Sequence, residues 1–409
     1  MSDKLKKEEL EIIGKLFDEV IGEYEKDSHI IFLNESERAR KHFGRIKQGL
    51  KKWSKKQICM VPGCNKRSIV RSHTVPKGMS ISVISENRHV LEPEFDHKLG
   101  KVVLKKIGIA NATTFPGFCT DHELLFEEFE NKKTIDTPPH LYLQAYRAAC
   151  RELFRAESIV EQQEWVIKEY RDIREQGIFR LLLYRMRKCG LDSEIDFKSI
   201  DFKNEPLMLD ALEKTQSARK HATYIRENIL PALEKAVFFG DATDICISAT
   251  SIDLEIPVAL AGAASFAVDD AGVYTEVTLL MNVVPSVGNT LIIFAATNSN
   301  SRYLEYYKEN WVNHGINILS MVESWMINGT DQWCLRPSVW ERIDENRQAE
   351  LMRMILSAEK GIIQHCELSI FDCLRESLIK QSNIVNGGNV SEKYNLFMAR
   401  EGKKIPDKK

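Results

Sequence analysis

Two short stretches constrain this chain more than any others: "CMVPGC", which holds Cys59 and Cys64, and "CTDH", which holds Cys119 and His122. A structural zinc site needs four soft or borderline ligands meeting tetrahedrally. Pro62 and Gly63 supply a tight bend between the first pair, and a spacing of three puts the second pair on one helical turn, continued by "ELLFEEFE". The pattern predicts Cys59, Cys64, Cys119 and His122 as ligands of one structural Zn2+. The competing reading is a set of unrelated buried thiols and an imidazole.

The remaining cysteines argue against disulfides. Nine in a chain of 409 residues is an odd number, unlike a small secreted framework. Cys150, Cys189, Cys246, Cys334, Cys366 and Cys373 stand singly in apolar or helical surroundings, where a small buried hydrophobe is expected.

Charge is balanced overall, at −2, but not locally. From Arg38 to Lys77 there are thirteen Lys or Arg and no Asp or Glu. Such a block is either a solvated face or a phosphate-binding surface. Because it runs straight into the cysteine stretch, nucleic acid is the expected partner. The start "MSDKLKKEEL" has no apolar core of a signal peptide, and "IPVALAGAASFAV" is shorter than the roughly 20 residues a membrane helix needs, so a cytoplasmic protein with no membrane partner is expected.

Periodicity predicts an α+β, mostly helical multidomain chain. An amphipathic helix is expected over 4–26 and a second, basic one over 36–56 with Ser36 as N-cap, giving an N-terminal basic segment at 1–56. Residues 57–135 read as short segments and loops, a unit that a metal would help to fold. Long helical runs up to Gly190 and over 204–237 suggest a hairpin or bundle at 136–238. The runs "TDICISATSI", "PVALAGAASFAVDD", "VYTEVTLLMNVVP" and "NTLIIFAATNS", split by "DDAG" and "SVGN", predict three or four antiparallel strands at 239–300. A helical region at 301–409 would pack on that sheet.

Between the ligand pairs lie His73, in "RSHTVPK", and His89, in "ENRHVL". A satisfied ring is the simpler reading for His89. His73 differs, since it ends a short β-prone run. Taken together, "C…C…SH.VP…N.HV…FC..HE" resembles the HNH, or ββα-metal, treble-clef endonucleases, and also a group of poorly characterised bacterial proteins with a "C…C…SH…F.GFC..HD" signature. The resemblance covers residues 57–130. It implies a two-strand hairpin and a helix around zinc, with His73 as general base, Asn87 orienting it, and Glu123 binding a catalytic Mg2+ or Mn2+. It also implies hydrolysis of nucleic-acid phosphodiesters, with anti-phage defence as an association. Two departures stand out: family members usually carry an Asp or His just before the base, where this chain has Ser72, and Glu123 stands where many members have another His or Asn. Asp96, Asp121 or His97 would have to complete the ion's ligands.

The alternative is a non-catalytic, zinc-stapled module that binds nucleic acid or protein, with the remainder of the chain sensing, regulating or forming an oligomer. Other chemistries lack support: there is no G-x-x-x-x-G-K-[ST], G-x-G-x-x-G or G-x-S-x-G. Glu127 and Glu128 read as a solvated helix face.

Overall fold

The computed structural model describes residues 7–27, 52–96, 101–191, 206–270, 273–309, 317–355 and 369–385. The chain is mixed α+β with an antiparallel sheet of seven strands. In chain order the elements used below are α1 (Lys7–Lys26), β1 (Ser72–His73), β2 (His89–Asp96), β3 (Lys101–Gly108), β4 (Thr114–Phe115), α2 (Thr120–Glu123), α3 (Glu127–Lys132) and α4 (Pro138–Lys188). They continue with α5 (Pro206–Tyr224), α6 (Leu230–Phe239), β5 (Ile245–Ile252), β6 (Val258–Asp270), β7 (Val273–Ser286), β8 (Asn289–Thr297), α7 (Ser301–Tyr307), α8 (Asn317–Ser324), β9 (Trp333–Leu335), α9 (Pro337–Glu341), α10 (Glu345–Met354) and α11 (Asp372–Val385). No described helix is long and apolar enough to cross a membrane. The basic helix expected over 36–56 lies outside the described residues as far as position 51.

Two compact units emerge, Met1–Lys52 with Ala156–Lys220, and Trp53–Arg155 with His221–Lys409. In the first, α1 lays its apolar stripe on the C-terminal part of α4: Ile13 packs with Leu182 and Met186, and Val20 and Tyr24 with Ile178. Arg185 reaches Glu23 at 2.5 Å across the same seam. Arg219 of α5 meets Glu164 of α4 in an exposed ion pair. At 51 residues α4 is about 77 Å long, and it stops at a left-handed Gly190, φ +74°. Between α5 and α6 the helix widens into a π-turn at Ile225–Ile229. Pro231, which lacks an N–H, follows that turn and gives its physical cause.

The second unit is built on the sheet, in the order β3-β2-β9-β6-β7-β8-β5. Strands β5 to β8 fall where the four apolar runs predict them. β6 is apolar on both faces because both are covered, so its residues do not alternate with polar ones. Val258 and Leu260 join the large core with Trp325, Trp333, Phe294 and Tyr307 from the C-terminal elements. Ala259 and Ala261 face the opposite way, onto Val75, Ile81, Ile84 and Val90. The small residues of "ALAGAAS" permit that approach: a Cβ on Gly262 would stand 2.4 Å from the Thr330 side chain.

Sequence reading missed β2, β3 and β9. The segment 57–135, read as short segments and loops, contains a hairpin of two eight-residue strands, β2 paired with β3 from His89↔Gly108 to Asp96↔Lys101. Through β9, with Leu91↔Leu335 on one side and Val258↔Leu335 on the other, that hairpin joins the main sheet. The cysteine-bearing segment and the C-terminal half therefore share one sheet.

Candidate metal centre and the His73 neighbourhood

Cys59 lies after an antiparallel bridge between Ile58 and Arg67 that closes the first bend. The Cys59 amide donates to the Lys66 carbonyl at 2.9 Å, and the Cys64 amide to Val61 at 3.1 Å. Gly63, at φ +74°, takes the left-handed conformation this tight turn requires. The second pair is set by α2, with Cys119 at its N-cap in extended conformation and His122 in its first turn. Two backbone bonds clamp the halves together: Met60 N–H to Gly117 at 2.9 Å and Ile69 N–H to Phe118 at 2.7 Å. Outside the centre, Lys66 and Asp121 form an exposed ion pair.

The four ligand atoms lie within 4.8 Å of one another. His122 Nδ1 is 3.3 Å from Cys59 Sγ and 3.4 Å from Cys119 Sγ, and Cys64 Sγ is 4.0 Å from Cys119 Sγ. Tetrahedral zinc, with Zn–S about 2.3 Å and Zn–N about 2.0 Å, sets these separations at about 3.5 Å for S···N and about 3.8 Å for S···S. The donor set and its spacing therefore fit a structural metal ion. Burial pushes the Cys59 thiol up to about 11. The Cys119 thiol is held below its ordinary value even though burial opposes this, through hydrogen bonds headed by the His122 backbone. The Cys119 amide also donates to Cys59 Sγ at 3.4 Å. Such donors favour thiolates, the form a metal binds.

Next to the centre, β1 and β4 pair at two positions, Ser72↔Phe115 and His73↔Thr114. The residues between them hold the β2–β3 hairpin. Ser72 is fully buried and its Oγ accepts the Phe118 N–H at 3.1 Å, so it braces the approach to Cys119. His73 is half-buried, and its Nε2 lies 3.1 Å from the Ile109 carbonyl oxygen. A carbonyl only accepts, so Nε2 carries the proton and Nδ1 is left with the lone pair. Burial lowers the His73 pKa, helped by Lys77 and Arg147 and opposed by the Ile109 bond and Glu130.

Glu123 is half-buried in α2. Burial raises its pKa, while the Ser72 hydroxyl and Arg147 act to lower it and Glu130 to raise it. Its Oε1 is buried without a hydrogen-bond partner. Arg147 and Glu130 thus act electrostatically on both His73 and Glu123. Arg147, 1% exposed, bonds Glu130 at 2.7 Å and lies 3.9 Å above the Phe126 ring. No sequence motif pointed to Arg147 or Glu130, since both sit on helix faces that read as ordinary.

The other expected residues are placed differently. Asn87 is exposed at φ +50° in the turn between Glu86 and His89, and its carbonyl oxygen lies 2.7 Å from His89 Nδ1. The hydrogen bond of His73 goes to Ile109 and not to Asn87. Asp96 pairs with Lys101 at the far end of the hairpin from Gly108, about 23 Å along the strand from His89. Asp121 pairs with Lys66, and His97 lies outside the described residues. Among the single cysteines, Cys150 and Cys334 are buried as expected, whereas Cys189 and Cys373 are exposed. Cys189 sits in the turn just after α4 and Cys373 on the solvent side of the first turn of α11, so helical surroundings did not mean burial. Glu127 and Glu128 are exposed, with Glu128 paired to Lys132.

Family models, curated proteins and solved structures contain no match to this chain, so the likeness to HNH endonucleases rests on the residues quoted above.

Proposed function

We propose that the chain is a zinc-containing, HNH-like nuclease that hydrolyses nucleic-acid phosphodiesters, with anti-phage defence as a setting for such an activity. The observations that support this reading are the His73 imidazole, held through Nε2 by the Ile109 carbonyl, and, on α2, a Glu123 carboxylate whose buried Oε1 has no hydrogen-bond partner, with Arg147 and Glu130 acting on both groups. With Nδ1 unprotonated and burial keeping the ring neutral near pH 7, His73 is suited to take a proton from water as that water attacks phosphorus. Glu123 would hold a divalent cation through its free oxygen, and hard carboxylate oxygen suits Mg2+ or Mn2+. Such a cation supplies Lewis-acid stabilisation of the leaving oxygen.

Phosphate would be held by exposed cations. Among the described residues Lys55, Lys56, Arg67, Arg71, Lys77, Arg88 and Lys106 are exposed and make no ion pair. Arg71 and Lys77 flank the His73 segment, and the Arg88 carbonyl accepts the Ile109 N–H at 3.1 Å. These charges face phosphates without reading bases. The second reading, a binding module without turnover, is favoured by Ser72, which braces Phe118 where a metal-binding side chain is expected.

The test is cleavage of supercoiled DNA and single-stranded RNA in Mg2+ by the full chain, with His73→Ala and Glu123→Ala as controls. The nuclease reading expects cleavage that falls about 10²–10⁴-fold in His73→Ala, with zinc content unchanged. Binding that weakens steeply with salt but never cleaves either polymer selects the binding module.

A further inference from the structure

The His73 acceptor, Ile109, belongs to a tight loop, residues 109–113, between β3 and β4. The loop is folded on itself, with the Asn111 and Ala112 amides bonded to the Gly108 carbonyl at 2.9 and 3.2 Å. It ends at Thr113, a β-branched residue at φ +54°. That left-handed conformation is unfavourable for such a side chain and persists only where its surroundings hold it. Two partners hold it. The Thr113 carbonyl accepts from Thr74 N–H and Thr74 Oγ, both at 2.9 Å. The Thr113 N–H donates to Glu92 Oε1 at 2.5 Å.

The Thr74 side is itself fixed, since its carbonyl accepts from Gln144 Nε2 at 2.9 Å and its hydroxyl from Gln332 Nε2 at 3.3 Å. The Glu92 side is the adjustable one. Glu92, on β2, is within electrostatic reach of the buried Arg151 and the half-buried Asp331, which are joined at 2.9 Å, with the half-buried Arg155 bonded to Asp331 at 2.7 Å.

We propose that Glu92 is a positioning residue for His73: its carboxylate anchors the Thr113 amide, and the strained loop so fixed presents the Ile109 carbonyl that sets the imidazole's tautomer and orientation. This rests on the reading of His73 as a general base. Burial raises Glu92 to about 7, opposed by the Thr113 amide and Arg151 and assisted by Asp331 and Glu94. Cys334 of β9 also faces it, and Lys105 is its register partner on β3. An ionised carboxylate is the stronger acceptor for an amide. The anchor therefore tightens as pH rises through about 7 and loosens below it.

The experiment is the full chain labelled with 15N-histidine, with the His73 ring signals assigned by their loss in His73→Asn and followed from pH 5 to 9. In the wild type His73 keeps the Nε2–H tautomer, and its ring shifts carry a second inflection near 7. Glu92→Gln, which retains an acceptor but cannot ionise, keeps the tautomer and loses that inflection. Glu92→Ala mixes the two tautomers and moves the His73 pKa up towards its ordinary value. Adding Thr113→Gly, which removes the strain at φ +54°, brings both readouts back. If Glu92→Ala does not fold, Glu92→Gln decides alone. His73 curves that coincide in the wild type and Glu92→Gln overturn the proposal.

A cleavage assay on the same samples separates the two readings. Altered ring signals with no cleavage by any variant remove the nuclease and leave the anchor. Cleavage with coincident ring signals removes the anchor and leaves the nuclease.

Discussion

On the zinc reading of the four-ligand cluster, replacing Cys119 by Ala is expected to abolish metal binding there and to open the segments around it. The expected zinc content falls from one ion per chain to a small fraction of that. Cys119 sits at the hub of the centre, with its Sγ near both His122 Nδ1 and Cys64 Sγ and its amide on Cys59 Sγ. The β1–β4 pairing has only two rungs, so backbone pairing adds little to the packing of Phe115, Phe118 and Phe126 beside the centre. Structural zinc contributes about 10–16 kcal/mol in isolated finger peptides, far more than a two-rung ladder. Hydrogen exchange of the amides at Cys59, Met60, Ile69 and Phe118 should accelerate by several orders of magnitude in Cys119→Ala or after chelation. The amides of β6 and β7 should change much less, because their protection comes from the large core. Unchanged exchange around Cys59 after zinc has been removed would show that the metal is not what holds this segment.

The second large effect is expected far from the metal. Glu323 and Arg375 are buried at 0% and 1% exposure and paired with each other. Glu323 Oε1 also accepts from the Ile370 and Phe371 amides, both at 2.8 Å, and from Ser369 Oγ at 2.5 Å. Although burial opposes it, Arg375 holds the Glu323 carboxyl below its ordinary range. Glu323→Ala takes the closest carboxylate from a buried guanidinium, which keeps Asp372 at 3.6 Å, and an acceptor from the Ile370 and Phe371 amides, and removing one partner of such a buried pair costs about 3–5 kcal/mol. Urea unfolding should show that loss. The double variant Glu323→Leu with Arg375→Met should recover much of it, because an apolar pair of similar volume leaves no stranded charge. A loss below about 1 kcal/mol in Glu323→Ala would mean that the pair is solvated.

The parts of this molecule that were legible in sequence are those whose signals are local. The four ligands stood out because soft donors at knuckle and helical-turn spacing are uncommon by chance, and the structure brings their atoms together. Strands β5 to β8 were legible as apolar runs cut by turn residues. The hairpin β2–β3 was not, because "HVLEPEFD" and "KVVLKKIG" carry a Pro, acidic residues and lysines that suit a sheet edge and read as loop. β9 is three residues long, below any periodic signal, and yet it joins that hairpin to the sheet. His73 was singled out from its neighbours in sequence, but its acceptor, Ile109, and the Glu92 contact are 36 and 21 residues apart from their partners. No local pattern announces such contacts. The same holds for Ser72, whose bond to Phe118 spans 46 residues and gives the serine a structural role.

The central claim is that His73 is a general base, and the rate of DNA or RNA cleavage against pH at fixed Mg2+ tests it most directly. A buried imidazole has a lowered pKa, so the protonated, inactive form should dominate only below the ordinary histidine value of about 6.5. The account predicts a wild-type rate that climbs about tenfold per pH unit through that acidic range and levels off by neutral pH. His73→Ala should be far slower and lack the limb. A His73→Ala variant that cleaves at the wild-type rate with the same pH profile would contradict it.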